Sequence, residues 1–229
     1  CAAANPYAAG TFARAEHFAA RGKAREAVLA IDQFLRLNPA DSLAARAQHL
    51  KALQYFKLKE YPLAAVELQI LRREYPLSPY APDALFLQAA AHFEQVGRLE
   101  RDISHADSAR TTLARFLALY PDSPRADEAR AYQRRVSEYR IRKKLAEAKV
   151  YAQVDQPAAA GVALDIILAQ ESDSPLLAGV LLQRARYALD AKDRETAVAA
   201  LNRLLASYPD AAAAADARRL LAQLGAPAP

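Results

Sequence analysis

Apolar residues recur along the chain at helical spacings of three and four, in stretches that each stop at the same kind of break. The breaks read Asn38-Pro39-Ala40-Asp41-Ser42, Tyr75-Pro76-Leu77-Ser78, Tyr120-Pro121-Asp122-Ser123, Ser172-Asp173-Ser174 and Tyr208-Pro209-Asp210. Counting twelve residues back from Pro39, Pro76, Pro121, Ser172 and Pro209 lands each time on an alanine: Ala27, Ala64, Ala109, Ala160 and Ala197. Four residues after these stand Ile31, Leu68, Leu113, Leu164 and Leu201, and seven after stand Phe34, Leu71, Phe116, Ile167 and Leu204. A small residue followed at plus four and plus seven by large apolar ones is one face of an amphipathic helix, and the small one lets a neighbouring helix come close. Proline then stops the helix, because it lacks an N–H and bars the helical conformation to the residue before it.

Nine residues before the alanines, Phe18, Tyr55 and Tyr151 place an aromatic on a preceding helix; Ala188 breaks this pattern, with Tyr187 beside it. The arrangement of helix A, turn and helix B resembles the tetratricopeptide repeat. The predicted fold is an all-α solenoid of about five such helical hairpins plus a C-terminal capping helix. That cap spans 211–224, with Asp216, Arg218, Arg219 and Gln223 on its wettable face. Successive breaks are 37, 45, 51 and 37 residues apart. The extra length is assigned to a charged loop, Gly97 to Ala106, in the third repeat and to a long helix A, from Pro124 to Tyr151, in the fourth. Ala129, Tyr132, Val136, Tyr139, Leu145 and Ala148 carry an apolar stripe along that helix. The organisation expected is a linker over 1–10, an N-terminal half over 11–123, a C-terminal half with the cap over 124–224, and a disordered tail over 225–229.

Composition agrees with helix: alanine dominates, Trp and Met are absent, and only 6 Gly are present. The net charge is 31 − 26 = +5. The stretch Arg134 to Lys149, with seven basic and two acidic residues, carries 7 − 2 = +5 by itself, so the remainder is neutral on balance. That distribution does not suit nucleic acid, which asks for a broad basic face. No run of eighteen apolar residues is present, so no membrane-spanning helix is expected. The histidines His17, His49, His92 and His105 lie in separate segments without zinc-ligand spacing. No phosphate loop, nucleophile elbow or carboxylate pair stands out, so neither an enzyme nor a cofactor site is expected.

The single cysteine is residue 1, followed by Ala2, Ala3, Ala4 and Asn5. This resembles a bacterial lipoprotein after its signal peptide has been cut, when the exposed cysteine takes up acyl chains such as palmitate; a trimmed sequence start would read the same. Each buried methylene contributes about 0.8 kcal/mol, so two or more chains on Cys1 would hold the protein firmly to lipid. The linker from Cys1 to Thr11 extends at most roughly 35 Å, which keeps the first helices near the lipid surface. Ala2, where Asp would retain a lipoprotein at the inner membrane, resembles outer-membrane sorting.

Further residues narrow the comparison: Arg101-Asp102 before His105-Ala106, Tyr120-Pro121-Asp122-Ser123 with Asp127-Glu128-Ala129, and Leu145 to Tyr151. With five repeats behind an N-terminal cysteine, the chain resembles, over nearly its whole length, the BamD family of lipoproteins of the β-barrel assembly machinery. It departs from that pattern at Ser172-Asp173, and at Val154-Asp155-Gln156-Pro157, where the family has Arg-Gly and an aromatic. The resemblance implies an outer-membrane anchor on the periplasmic side. It implies as partners the central barrel-assembly protein, through that protein's periplasmic domains, and unfolded outer-membrane proteins. A tetratricopeptide adaptor lipoprotein of another envelope system, a secretin pilotin or a cell-wall coordinator, is the other reading.

Counting along the A helices gives a candidate peptide-binding groove of Phe12, Arg46, His49, Leu53, Phe56 and Leu87, with Glu16 and Glu94 among its charged positions. Such a groove suits an extended or helical segment with aromatic anchors; alternatively, a curled solenoid packs the same apolar residues inside. Phe12 and Glu16 stand where chaperone-docking repeats carry Lys and Asn to grip a terminal carboxylate, which disfavours that role. A second candidate, for partner docking, is Arg140, Arg142, Lys143 and Lys144. That run reads either as a solvated helix face or as a surface for an acidic partner, and the resemblance assigns the C-terminal half to the barrel-assembly protein.

Overall fold

A computed structural model describes residues 6–96 and 103–226, and among these the ordered elements are all α-helices. They pair in chain order. Helices α1 (Phe12–Ala20) and α2 (Ala24–Leu37) form the first hairpin, α3 (Ala44–Lys57) and α4 (Tyr61–Glu74) the second, and α5 (Ala81–Glu94) and α6 (Ser104–Leu119) the third. Next come α7 (Ala126–Gln153) with α8 (Pro157–Gln170), then α9 (Leu177–Asp190) with α10 (Arg194–Ser207), and α11 (Ala212–Gln223) closes the chain. These are the tetratricopeptide hairpins and cap that the spacing predicts. Two compact units are present among the described residues, one of 6–96 and 103–133 and one of 134–226, with the division inside α7.

The counted register is the core. Ala27, Ala64, Ala109, Ala160 and Ala197 are fully buried, as are Ile31, Leu68, Leu113, Leu164 and Leu201. Phe34, Leu71, Phe116, Ile167 and Leu204 are buried with them, each large side chain contributing about 1.5–3 kcal/mol. Each A helix buries an alanine of its own: Ala15, Ala52, Ala89, Ala148 and Ala185, all at 0% exposure. Four of these lie twelve residues before their B-helix partner; Ala89 lies twenty before Ala109, because the third repeat is longer between its helices. The expected aromatic at Tyr151 is the exception, 37% exposed, whereas Tyr187 is buried.

Two turns repeat with the helices. From A to B, Gly22, Lys59, Asp155 and Lys192 each take a left-handed backbone (φ 72°, 59°, 56° and 63°), always five residues before the signature alanine. The next N–H reaches back to a helical carbonyl, Lys23 to Phe18, Glu60 to Tyr55, Gln156 to Tyr151 and Asp193 to Ala188, satisfying carbonyls the helix leaves open. From B to the next A, Asn38, Tyr75, Tyr120 and Tyr208 share φ between −128° and −140° with ψ near 57°. Each precedes a proline that keeps it out of the helical region. Two residues past that proline, Asp41, Ser78 and Ser123 accept a backbone N–H at the start of the following helix, and Ser174 does so in the fourth repeat.

Repeat four differs as its sequence does. Helix α7 has 28 residues where the other A helices of full length have 14, which absorbs the whole excess of a 51-residue interval over 37. Along it Ala129, Val136 and Ala148 are buried as the stripe predicts, and Ile141 joins them. In repeat three, α6 begins at Ser104, so His105 and Ala106 are helical; 97–102, including Arg101 and Asp102, lie outside the described residues. So do 1–5 of the linker, Cys1 among them, and 227–229 of the tail. Gly225 (φ 61°) closes α11, and Ala226 donates to the Leu221 carbonyl and packs on the second unit's core.

Candidate functional site

In the first unit the A helices α1, α3 and α5 lie side by side, and one open face of α3 carries four of the groove residues. Arg46, His49, Leu53 and Phe56 recur at spacings of three and four on that face. Arg46 and His49 line a hollow of about 410 Å³ together with Glu16, Ala19, Ala20, Leu50, Lys57 and Tyr80. Both are tied to neighbouring repeats. The Arg46 guanidinium donates to Glu16 Oε1 at 2.5 Å and sits 5.4 Å from the centre of the Phe12 ring. His49 Nε2 lies 2.6 Å from Asp83 Oδ2, and its ring stacks on Tyr80 at 4.9 Å. Asp83 also pairs with Arg125, whose guanidinium lies over Phe86. Burial alone would raise the Asp83 pKa, but the His49 hydrogen bond and the Arg125 charge outweigh it and hold the carboxyl below its ordinary value.

Not every predicted groove residue faces this hollow. Phe12 is 4% exposed, its ring 5.5 Å from that of Phe34, and Leu87 is 8% exposed; both are core. They are corrected from groove to interior, because the first turn of α1 and the middle of α5 turn these side chains into the hairpin seams. Leu53 and Phe56 are half-buried, and Phe56 meets Tyr61 edge-on at 5.7 Å beside Ala64, Ala65 and Ala91. Neither lines the hollow, although both keep part of their surface on the same face of α3. Residue counting overlooked Tyr80 and Asp83. Asp83 stands 37 residues after Arg46, the repeat interval, so opposite charges in one column of the repeat were the signal.

In the second unit Arg140 is not a surface residue. It is 3% exposed, paired with Glu171 and donating to Gln170 Oε1 at 2.6 Å. Glu171 also accepts from Ser137 Oγ at 2.6 Å. The reason lies at the divergent break: Glu171 replaces the aromatic before the missing proline, takes an extended backbone (φ −121°, ψ 137°), and turns its carboxylate onto α7. Arg140 therefore leaves the docking surface. Lys144 is largely engaged with Glu147 at 2.7 Å. Arg142 is exposed, only loosely held by Glu138 at 3.4 Å, and Lys143 is half-exposed; with exposed Arg134 and Lys149 they leave a narrower basic face.

The described residues include no group of three or more His, Cys, Asp or Glu able to hold a metal, and no helix among them is long and apolar enough to cross a membrane. What the geometry offers is two candidate faces: a hollow with mixed apolar and charged walls, and a basic helix stripe.

Residues 8–175 match the YfiO family, described as outer membrane lipoprotein, and residues 180–211, which cover most of α9 and α10, match a tetratricopeptide repeat family. No curated relative matches the chain. Among solved structures it is similar to TTC0263, a thermophilic TPR protein of Thermus thermophilus, with 19% identity, coverage of 91% of this chain and 94% of that one, and a TM-score of 0.38. It is also similar to YrrB, a TPR protein with an unusual peptide-binding site, with 16% identity, coverage of 90% and 89%, and a TM-score of 0.36.

Proposed function

The chain belongs to the YfiO family of outer membrane lipoproteins, and from that premise we propose that it is a non-catalytic periplasmic scaffold of the BamD type, held to the outer membrane by acyl chains on Cys1. Its second unit docks the periplasmic domains of the central barrel-assembly protein, and its first unit receives extended segments of unfolded outer-membrane proteins. The observation that carries this reading is the family match over 8–175, which spans the first four hairpins, both candidate faces included.

The groove supports the substrate role by its chemistry. Arg46 is paired with Glu16 and His49 hydrogen-bonds Asp83, and the half-buried Leu53 and Phe56 on the same face of α3 suit apolar anchors of an extended chain. The exposed Arg142 and the half-exposed Lys143 favour an acidic partner and would act mainly on its rate of capture.

Recovery of partners from detergent-solubilised envelopes tests the assignment: a barrel with repeated periplasmic domains is expected. Arg142→Glu with Lys143→Glu should reduce that recovery, more at low salt than at physiological salt. A secretin ring in its place would reassign the chain to another envelope system. For the groove, Leu53→Ala with Phe56→Ala is expected to weaken binding of an aromatic-rich outer-membrane-protein peptide by at least about tenfold, one lost anchor's worth, with the helical signal retained. Unchanged affinity would reject the groove while leaving the docking face standing.

A further inference from the structure

The first unit has two long edges, and they differ in character. One is made by the turns within repeats, where Arg21, Lys23, Lys59 and Glu60 stand and the exposed apolar side chains beside them, Leu29 and Leu63, lie on the following helices rather than on the turn tips. The other is made by the turns between repeats, 38–43, 75–80 and 120–125. There Leu37 is 60% exposed, Leu43 38%, Leu77 97% and Leu119 55%. A leucine at 97% exposure on a turn tip has no packing reason to be there. Beside Leu119, Pro79, Pro82, Pro121 and Pro124 help to line an open apolar hollow of about 570 Å³.

The chain enters at this same edge. Asn38 Nδ2 donates to the Gly10 carbonyl at 3.3 Å, and the Leu37 side chain lies directly against Gly10, where even a methyl group would collide with it. Cys1 is five residues before Pro6, a reach of at most roughly 18 Å. The ionisable residues at the turns are of mixed sign, Arg36, Asp41, Arg73, Glu74, Asp122 and Arg125, and Arg125 is paired with Asp83 and Glu128. Such an edge has apolar tips and no cluster of cations, the composition of a surface that enters lipid headgroups by insertion rather than by attraction.

We propose that the leucine edge of the first unit, Leu37, Leu43, Leu77 and Leu119, rests in the interfacial layer of the bilayer that anchors the chain. The proposal rests on the lipid-anchor reading above and deepens it by specifying which edge faces the lipid. The groove on the A helices then opens sideways along the membrane, and the charged edge points away from it.

The sequence supplies its own probe, since it contains no Trp and a single Cys. The full chain carrying Leu77→Trp, coupled through Cys1 to a maleimide lipid in vesicles of phosphatidylethanolamine and phosphatidylglycerol, should emit at shorter wavelength and be quenched by brominated acyl chains, independently of salt. The matching Arg21→Trp protein should stay unshifted and be quenched by aqueous iodide. Adding Leu37→Asp and Leu119→Asp to Leu77→Trp should abolish the lipid contact, with unchanged helicity. An indole at position 77 that remains in water, or no difference between the two positions, overturns the proposal, and so does contact that vanishes at high salt. A partner protein that shields Leu77 while lipid does not would assign the edge to that partner and equally overturn it. The mass of residue 1 in protein taken from native membranes tests the anchor separately: an unmodified Cys1 removes the anchor reading, whereas a dry edge on an acylated chain removes only this inference.

Discussion

Three residues with side chains, Lys59, Asp155 and Lys192, occupy the left-handed turn position that Gly22 fills in the first repeat. That conformation costs an L-residue roughly 1–2 kcal/mol, against which glycine's extra freedom in the unfolded chain costs about 0.5–1 kcal/mol. Lys192→Gly should therefore stabilise the protein by about 0.5 kcal/mol, read as a higher urea midpoint at unchanged slope. Gly22→Ala should move the midpoint the other way by about 1 kcal/mol. At this scale the chain was partly readable. The B-helix alanines and their plus-four and plus-seven partners were visible, because a helix buries them by period alone. Arg140 was not: its burial depends on a carboxylate thirty-one residues away, and a charge on a helix gives no sign of an ionic partner so distant. The absent proline at Ser172 was noticed, but not that Glu171 before it had acquired a new task.

The break after α8 is where one element departs from its four counterparts, and there an ion pair back to α7 stands in for the aromatic ring and the proline. Removing the carboxylate with Glu171→Ala leaves the Arg140 guanidinium buried without its counter-charge, which is expected to cost about 3 kcal/mol. Replacing both, Arg140→Met with Glu171→Leu, should restore most of that, because two apolar side chains need no pairing. Chemical denaturation of the two variants checks this, and a double variant as weak as the single one would show that the aliphatic pair cannot fill the site. Element lengths were legible, since an interval of 51 residues between breaks leaves one extra fourteen-residue stretch, and the apolar stripe made it helix. The A-helix alanines were missed because the lengthened third repeat moves Ala89 out of the twelve-residue register that would have exposed the series.

Across the molecule, the response to acid should be concentrated in the first unit. Burial, and secondarily the charge of His105, lowers the His92 pKa below its ordinary 6.5. Protonation then favours the unfolded chain, so this contribution to stability is complete above pH 6.5 and is lost as pH falls through the folded value. Asp83, also depressed, adds a second loss that begins below its ordinary 3.8. The thermal midpoint should fall as the pH drops below 6.5, and His92→Gln should flatten that slope. An unchanged slope in the variant would place the acid sensitivity elsewhere. The fold class was recoverable from periodicity alone. The groove was recoverable only in part, because column counting gives the face a residue occupies and not the depth to which its neighbours cover it, as Phe12 and Leu87 demonstrate. Finally, every hairpin buries an alanine on each of its two helices. Alanine has no rotamers to surrender, so these seams are ordered at no side-chain entropic expense, and that part of the opposition to folding does not grow with temperature. Warming should thus loosen the long side chains of the open faces well before it separates the helices beneath them.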